Sequence, residues 1–379
     1  MSTHPSVPPT MKIPSPDILE CVFRVLRSYA DFARSCAVSR EWRAVGVSNT
    51  PRFPMLILTS TEAAFIGQYV KISPGCWLWR RSQIEFEPQT PPPSSPAFLR
   101  VFGKGVCVLD GDSFPTGGAI IGSFAGGWTA LALDGRRGFC LFDVCSGHRI
   151  PLPDLIRTPV LNLDCSLDIK FAVMSAAPGS EGDLIGAVTS GAANVAFCRL
   201  GSKRWWPPTP RAMVCGAQLS HCRAMLPRDP VEDLICFRDA YYVLDGEERL
   251  IAYMETDDDG SEYEASSGSP RPPIMEMIRY EFQYTDVPNH AVLSRYLVEV
   301  AGKLMLIRHF ADPLHFEFFE LAQLGMSDGN IMIARWRRVP DLVGFAVFLR
   351  KGCSKCKPLG MSDRMLVHIA DGSNWWFYP

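Results

Sequence analysis

AIIGSFAGGWTALALDGRRGFCLFDVCSGHRIPLPDL, residues 119–155, decides how this chain folds. Residues 119–133 read as strand, Gly-rich turn, strand. Asp134-Gly135 is a turn signal, 138–144 is another short apolar strand, Ser146-Gly147 turns again, and 148–155 closes the unit. Turn chemistry this tight joins each strand to its sequence neighbour, so the stretch is a four-stranded antiparallel meander. Its strands are apolar along most of their length, which suits sheets covered on both faces.

The same rhythm runs outward from this unit. Residues 168–174, 184–188 and 195–200 form a second up-and-down set ending in Lys203-Arg204-Trp205-Trp206. A third comprises 233–237, 240–244 and 250–254, and a fourth spans 294–321. A fifth is expected from 334–339, 345–349, 365–370 and 374–379. Repeated meanders of this length are the pattern of a β-propeller. At roughly 50 residues per kelch-like blade, residues 51–379 hold six or seven blades. The lone strand 55–58 can complete a blade with C-terminal strands, which closes the ring and hides both edges. Segment 59–118 has no clear strand pattern. Residues 87–97 (Pro/Ser-rich) and 255–273 (acidic, then Ser/Gly/Pro-rich) read as mobile surface insertions.

A different period precedes the strands. Residues 1–12 are polar and Pro-rich and read as a disordered tail. Within 13–50, Ser15 can cap a helix, Pro16 suits its first position and Asp17 its first turn. Ile18, Leu19, Val22, Phe23 and Leu26 follow at helical spacing. Asp31 can cap a second helix carrying Phe32, Cys36 and Val38. Ser39 can cap a third with Trp42 and Val45. Three helices this short cannot bury a full core alone, so the module should lean on a partner or on the next domain. The expected fold class is therefore α + all-β: a small N-terminal three-helix module followed by a kelch-like β-propeller.

Ile13-Pro14, Asp17-Ile18-Leu19, Val22-Phe23, Leu26, Ala37-Val38-Ser39 and Trp42-Arg43 together resemble an F-box. Ser39 stands where that motif usually has Cys. The resemblance implies docking on a Skp-family adaptor, and through it on a cullin, with Ile13, Pro14, Ile18, Leu19, Val22, Val38 and Trp42 contributing to the docking surface. The alternative is a helical cap packed on the β domain, and in either case some of these residues must be internal. The segment GSFAGGW…FCLFDVCSGHRIPLP, with YLVEVAGKLMLI, FEFFEL and WRRV further on, is similar to plant F-box proteins that carry a C-terminal KIB-type propeller. Thr129 stands where that pattern has Leu, and Asp143-Val144 where it has Asn-Pro. The resemblance implies the substrate-recognition subunit of an SCF-type ubiquitin ligase, whose propeller holds an unknown target protein. It leaves open a non-degradative regulator of a partner such as a kinase, or a small-molecule-binding propeller.

A formal net charge of −2 supplies no general attraction to nucleic acid or anionic membrane. No apolar run reaches the ~18 residues of a membrane span. The thirteen cysteines are scattered and no secretory signal opens the chain, so a cytoplasmic or nuclear protein with buried thiols is expected. Cys353 and Cys356 have half the spacing of a zinc site, with His368 the nearest further candidate. A structural zinc needs four ligands, so two loop thiols are the better reading, with no metal and no cofactor. The Gly-rich run 117–127 lies between strands and lacks the order of a phosphate-binding loop. No nucleophile-elbow motif is present, and a non-catalytic chain is expected. Arg335–Arg338 and Lys203–Trp206 mix cation and Trp, which suits a strand with Trp inward and Arg in water better than a nucleic-acid platform.

Overall fold

The computed structural model describes residues 14–25, 35–48, 55–58, 65–73, 76–83, 97–100, 106–108, 119–133, 138–144, 146–157, 163–179, 183–190, 193–208, 230–256, 273–282, 292–310, 315–327, 331–359, 365–369 and 375–377. The expected tail, the bulk of both expected insertions and Ile13 lie outside them.

Helical spacing at the N-terminus yields α1 (Pro16–Val25), α2 (residues 35–38) and α3 (Arg40–Ser48). The Ser15 carbonyl accepts the first helical bond, from the Leu19 N–H at 3.0 Å. Ser39 caps α3 as expected: its carbonyl accepts from the Arg43 N–H and its Oγ from the Trp42 N–H at 3.3 Å.

Strands then take over. The N-terminal group is β1 (Met55–Leu58), β2 (Phe65–Ser73), β3 (Cys76–Gln83), β4 (Ala97–Arg100) and β5 (Val106–Val108). The expected first meander is β6 (Ala119–Ser123), β7 (Trp128–Ala132), β8 (Phe139–Asp143) and β9 (Arg149–Leu152), each antiparallel to the next. Gly126 and Gly127 both take positive φ in the first turn. They allow Trp128 to pack its partly buried ring against the blade core and across His148. A short hairpin, β10 (Leu155–Arg157) with β11 (Asp164–Ser166), follows.

The second unit is β12 (Asp168–Met174), β13 (Leu184–Ser190) and β14 (Val195–Arg199), with Trp206 bridging Phe197 at the fourth position. The third is β15 (Val231–Phe237), β16 (Ala240–Asp245), β17 (Leu250–Glu255) and β18 (Met275–Phe282). The fourth is β19 (Val292–Val300), β20 (Lys303–Phe310), β21 (His315–Ser327) and β22 (Ile331–Val339). Their outer strands β18 and β22 pair in parallel, so the two units form one eight-stranded sheet. The chain ends with β23 (Phe345–Leu349), β24 (Lys355–Pro358), β25 (Met365–Ile369) and β26 (Trp375–Phe377).

Two features correct the sequence reading. Residues 334–339 belong to the fourth unit, not the fifth, because β22 pairs along most of the long strand β21. The fifth unit instead recruits the previously unassigned β2 and β3, giving the order β2-β3-β25-β23-β24. β25 is parallel to both of its neighbours, and such pairings leave no local turn signal to read. The sixth unit has the order β26-β1-β4-β5, in which Met55 pairs with Phe377 and Ile57 with Trp375. This is the expected joining of strand 55–58 to the C-terminus, and it takes β26 out of the fifth unit, where the sequence reading places residues 374–379. The described residues thus form a β-propeller of six blade-like units.

The innermost strands follow one another around the ring. β26 touches β6, β6 touches β12, β12 touches β15, β15 touches β19, and β19 touches β24. A Cβ on Gly122 of β6 would lie 2.7 Å from the Ala172 carbonyl of β12, so only glycine permits this approach. Four apolar layers fill the spaces between units, anchored by residues such as Phe197, Trp205, Ile307 and Leu306. Trp336 is buried and stacks on Phe282, while Arg337 and Arg338 pair with Glu320 and Glu317, so this strand sends its Trp inward.

Candidate interaction surfaces

The N-terminal helices divide their apolar residues between inside and outside. Leu19 and Phe23, four apart on α1, are 1% and 3% exposed. Trp42 of α3 meets Phe23 edge-on at 6.0 Å. Gly46 of α3 lies so close to Cys36 and Phe23 that a side chain there would collide with both. This leaves Ile18 57% exposed on α1 and Val38 65% exposed at the end of α2. Pro14, Val22 and Trp42 are half-buried. Of the seven residues expected to form a docking surface, Ile18 and Val38 are therefore open, three are partly covered, Leu19 is internal and Ile13 is outside the described residues.

Inside the ring, the 350–354 turn between β23 and β24 leaves its own blade. The backbone N–H of Gly352 donates to Asp233 of β15 at 2.7 Å. Gly352 takes positive φ (76°), and a Cβ there would lie 2.4 Å from Phe171 of β12. Gly352, Cys353 and Ser354 are all buried. Lys351 pairs with Glu232 at 2.5 Å. Asp233 also accepts the backbone N–H of Leu297 on β19 at 2.7 Å and of Leu234 at 2.9 Å. One carboxylate thus ties the third blade, the fourth blade and the inserted turn. Burial pushes its pKa up from 3.8 to about 7, against the pull of these donors and of Lys351.

That inserted turn bears on the paired cysteines. Cys353 is buried in the core around Phe171, and the thiol of Cys356 is pushed up to about 12 by burial. A thiolate ligand is disfavoured in such surroundings. Among the described residues no group of three or more His, Cys, Asp or Glu could hold a metal ion.

Toward the opposite mouth of the ring the space widens into a cavity of about 410 Å³. Ala125 from the β6–β7 turn, Glu299, Ala301 and Gly302 at the β19–β20 turn, and Lys355 and Lys357 on β24 line it. Ala301 and Gly302 both have positive φ, the pattern of a tight type I′ hairpin. Arg238, in the matching turn of the third blade, donates to the Gly302 carbonyl at 2.8 Å and braces the rim.

Sequence reading missed a second buried charge cluster. Glu248, in the β16–β17 turn, accepts Arg295 Nε at 2.9 Å and Arg308 Nε at 2.7 Å on one oxygen, and Arg308 Nη2 at 2.5 Å on the other. All three side chains are buried. An Asp inside the apolar run VEDLICF was a usable signal for Asp233, whereas Glu248 in the polar turn GEER gave none.

Ring closure between β1 and β26, the inserted turn and the cavity at one mouth define a β-propeller preceded by a small helical module. The chain belongs to the KIB1-4 beta-propeller family, whose model matches residues 111–360. That match runs from just before β6 to just after β24, so the closing strands β1–β5, β25 and β26 fall outside it. No F-box domain is matched over the helices. No curated protein matches the chain.

Proposed function

We propose that this chain is the target-recognition subunit of an SCF-type ubiquitin ligase, with the helical module docking a Skp-family adaptor and the propeller holding a target protein. The observation that carries the reading is the exposure of Ile18 and Val38 on a helical module in which Leu19 and Phe23 are internal and Val22 and Trp42 are half-buried. Two open aliphatic side chains on a module too small to stand alone are what a partner surface requires. The residues around them resemble the F-box pattern. A propeller, in turn, supports protein contact through the loops around its channel. In this reading ubiquitin transfer is accelerated by proximity: the complex raises the effective concentration of a target lysine at a charged conjugating enzyme.

The test is co-purification with a Skp-family adaptor, comparing the full chain with an Ile18→Asp, Val38→Asp variant. Both positions are exposed, so the variant should keep its melting profile. Each buried aliphatic contact at such an interface is worth about 1.5–3 kcal/mol, so retention should fall by at least tenfold. Wild-type protein that retains no adaptor would overturn the proposal, as would a variant that retains it fully.

A further inference from the structure

The cavity at the open mouth of the ring carries charge that the rest of the fold does not use. Lys355 and Lys357 both line it, and neither ammonium group has a hydrogen bond or ion pair among the described residues. Lys351 and Lys303, on neighbouring segments, are committed to Glu232 and Glu320. The Glu299 carboxylate, across the cavity, also has no hydrogen bond or ion pair among the described residues. Two residues apart on a strand, the two lysines project to the same side about 7 Å from each other. That is the spacing of alternate side chains on a second extended chain.

β24 strengthens the match. Among the described residues it is the edge strand of its sheet and pairs only with β23, so its other edge faces the ring. The inserted 350–354 turn occupies the ring immediately before β24 in the chain, so a ligand enters from the open mouth. A volume of about 410 Å³ exceeds what a single small anion fills and suits several peptide side chains. Among the described residues the cavity lining includes no arginine, whose planar fork is the stronger recogniser of phosphate. Ammonium groups act as point charges and suit separate carboxylates.

We infer that this cavity binds an extended acidic segment of a partner protein, with carboxylates at alternate positions meeting Lys355 and Lys357, and Glu299 accepting a donor between them. The inference rests on the reading that the propeller holds the target, and it names the chemistry by which it does so.

The experiment is fluorescence anisotropy with the full chain and labelled hexapeptides carrying Glu, Gln or Lys at alternate positions. Wild type should bind the Glu peptide and not the Gln peptide, and should lose affinity as salt rises. Lys355→Gln with Lys357→Gln should weaken binding about tenfold, from two lost exposed ion pairs. Lys355→Glu with Lys357→Glu should transfer the preference to the Lys peptide. Lys203→Gln, remote in the second blade, should change nothing. Absence of binding by wild type, or equal binding by the double Gln variant, would overturn the inference. Complete competition by inorganic phosphate at the peptide's own concentration would do so as well, because the site would then be a simple anion hole. Adaptor co-purification is read separately on the same proteins. Loss of the adaptor result leaves the peptide result standing, and the reverse holds too.

Discussion

Glu248→Ala should be among the most damaging single substitutions outside the apolar core. Its carboxylate is the shared acceptor for Arg295 and Arg308, whose side chains are only 7% and 4% exposed. Removing one member of a buried ionic cluster costs about 3–5 kcal/mol, because the remaining charges stay buried after losing a shared counter-charge. Arg308 keeps Glu317 at 3.4 Å and the face of Phe319 at 4.3 Å, which places the expected loss near the lower end of that range. At about 2 °C per kcal/mol for a domain of this size, Tm should fall by about 6–8 °C. Backbone strain can be separated from charge, because Glu248 has positive φ (65°). Glu248→Gly loses the same ion pairs but relaxes the left-handed backbone, so it should be about 1 kcal/mol less damaging than the Ala variant. Differential scanning fluorimetry at low and high salt reads both variants. The loss should persist at high salt, since buried pairs are poorly screened. A shift under ~2 °C, or one that vanishes in salt, would refute the claim that this cluster locks the third blade to the fourth.

Two further outcomes concern the inserted turn. Asp233 has a folded-state pKa near 7 against an ordinary 3.8, so the folded protein binds the extra proton between those values. Its contribution to stability is complete below about pH 4 and is lost as pH rises through 7. Wild type should therefore show a Tm component that declines across this window and is missing in Asp233→Asn; parallel pH profiles would contradict it. Gly352→Ala places a Cβ 2.4 Å from Phe171 at a φ of 76°. It should cost about 2–4 kcal/mol by urea denaturation, and a change under 0.5 kcal/mol would show that the turn yields freely.

What the sequence made legible follows from how local each signal is. The first blade could be read strand by strand because Gly126-Gly127 and Ser146-Gly147 mark its turns and each strand pairs with its neighbour. Ser39 was readable as a cap because capping acts over three residues. The fifth blade was not, since β3, β23 and β25 join in parallel across most of the chain length. Residues 334–339 were misplaced for a related reason. An apolar, cation-flanked strand carries no mark of which hairpin it closes until β21 is seen to extend to Ser327. Within the helices, periodicity identified the apolar stripe but could not divide it. Only packing against Trp42 shows that Leu19 and Phe23 turn in while Ile18 turns out. The cavity was illegible altogether, because Ala125, Gly302 and Lys357 come from three blades and nothing in the sequence shows that these turns meet.

Ring closure also constrains how the two proposed surfaces cooperate. α3 ends at Ser48 and β1 begins at Met55, so the helices are tied to the sixth blade by a connection that spans at most ~25 Å. β1 is itself held between β26 and β4, which anchors that connection to both ends of the ring. The fifth blade, which carries Lys355 and Lys357, lies beside β26 in sequence. Under the proposed function, a short tether fixed at this point would keep an adaptor on Ile18 and Val38 within a bounded distance of a segment held at the channel mouth. Transfer by proximity depends on that distance more than on either affinity, since effective concentration falls steeply once the reach exceeds the span. Lengthening the connection between Ser48 and Met55 should therefore leave adaptor binding and peptide binding intact while slowing modification of a bound target.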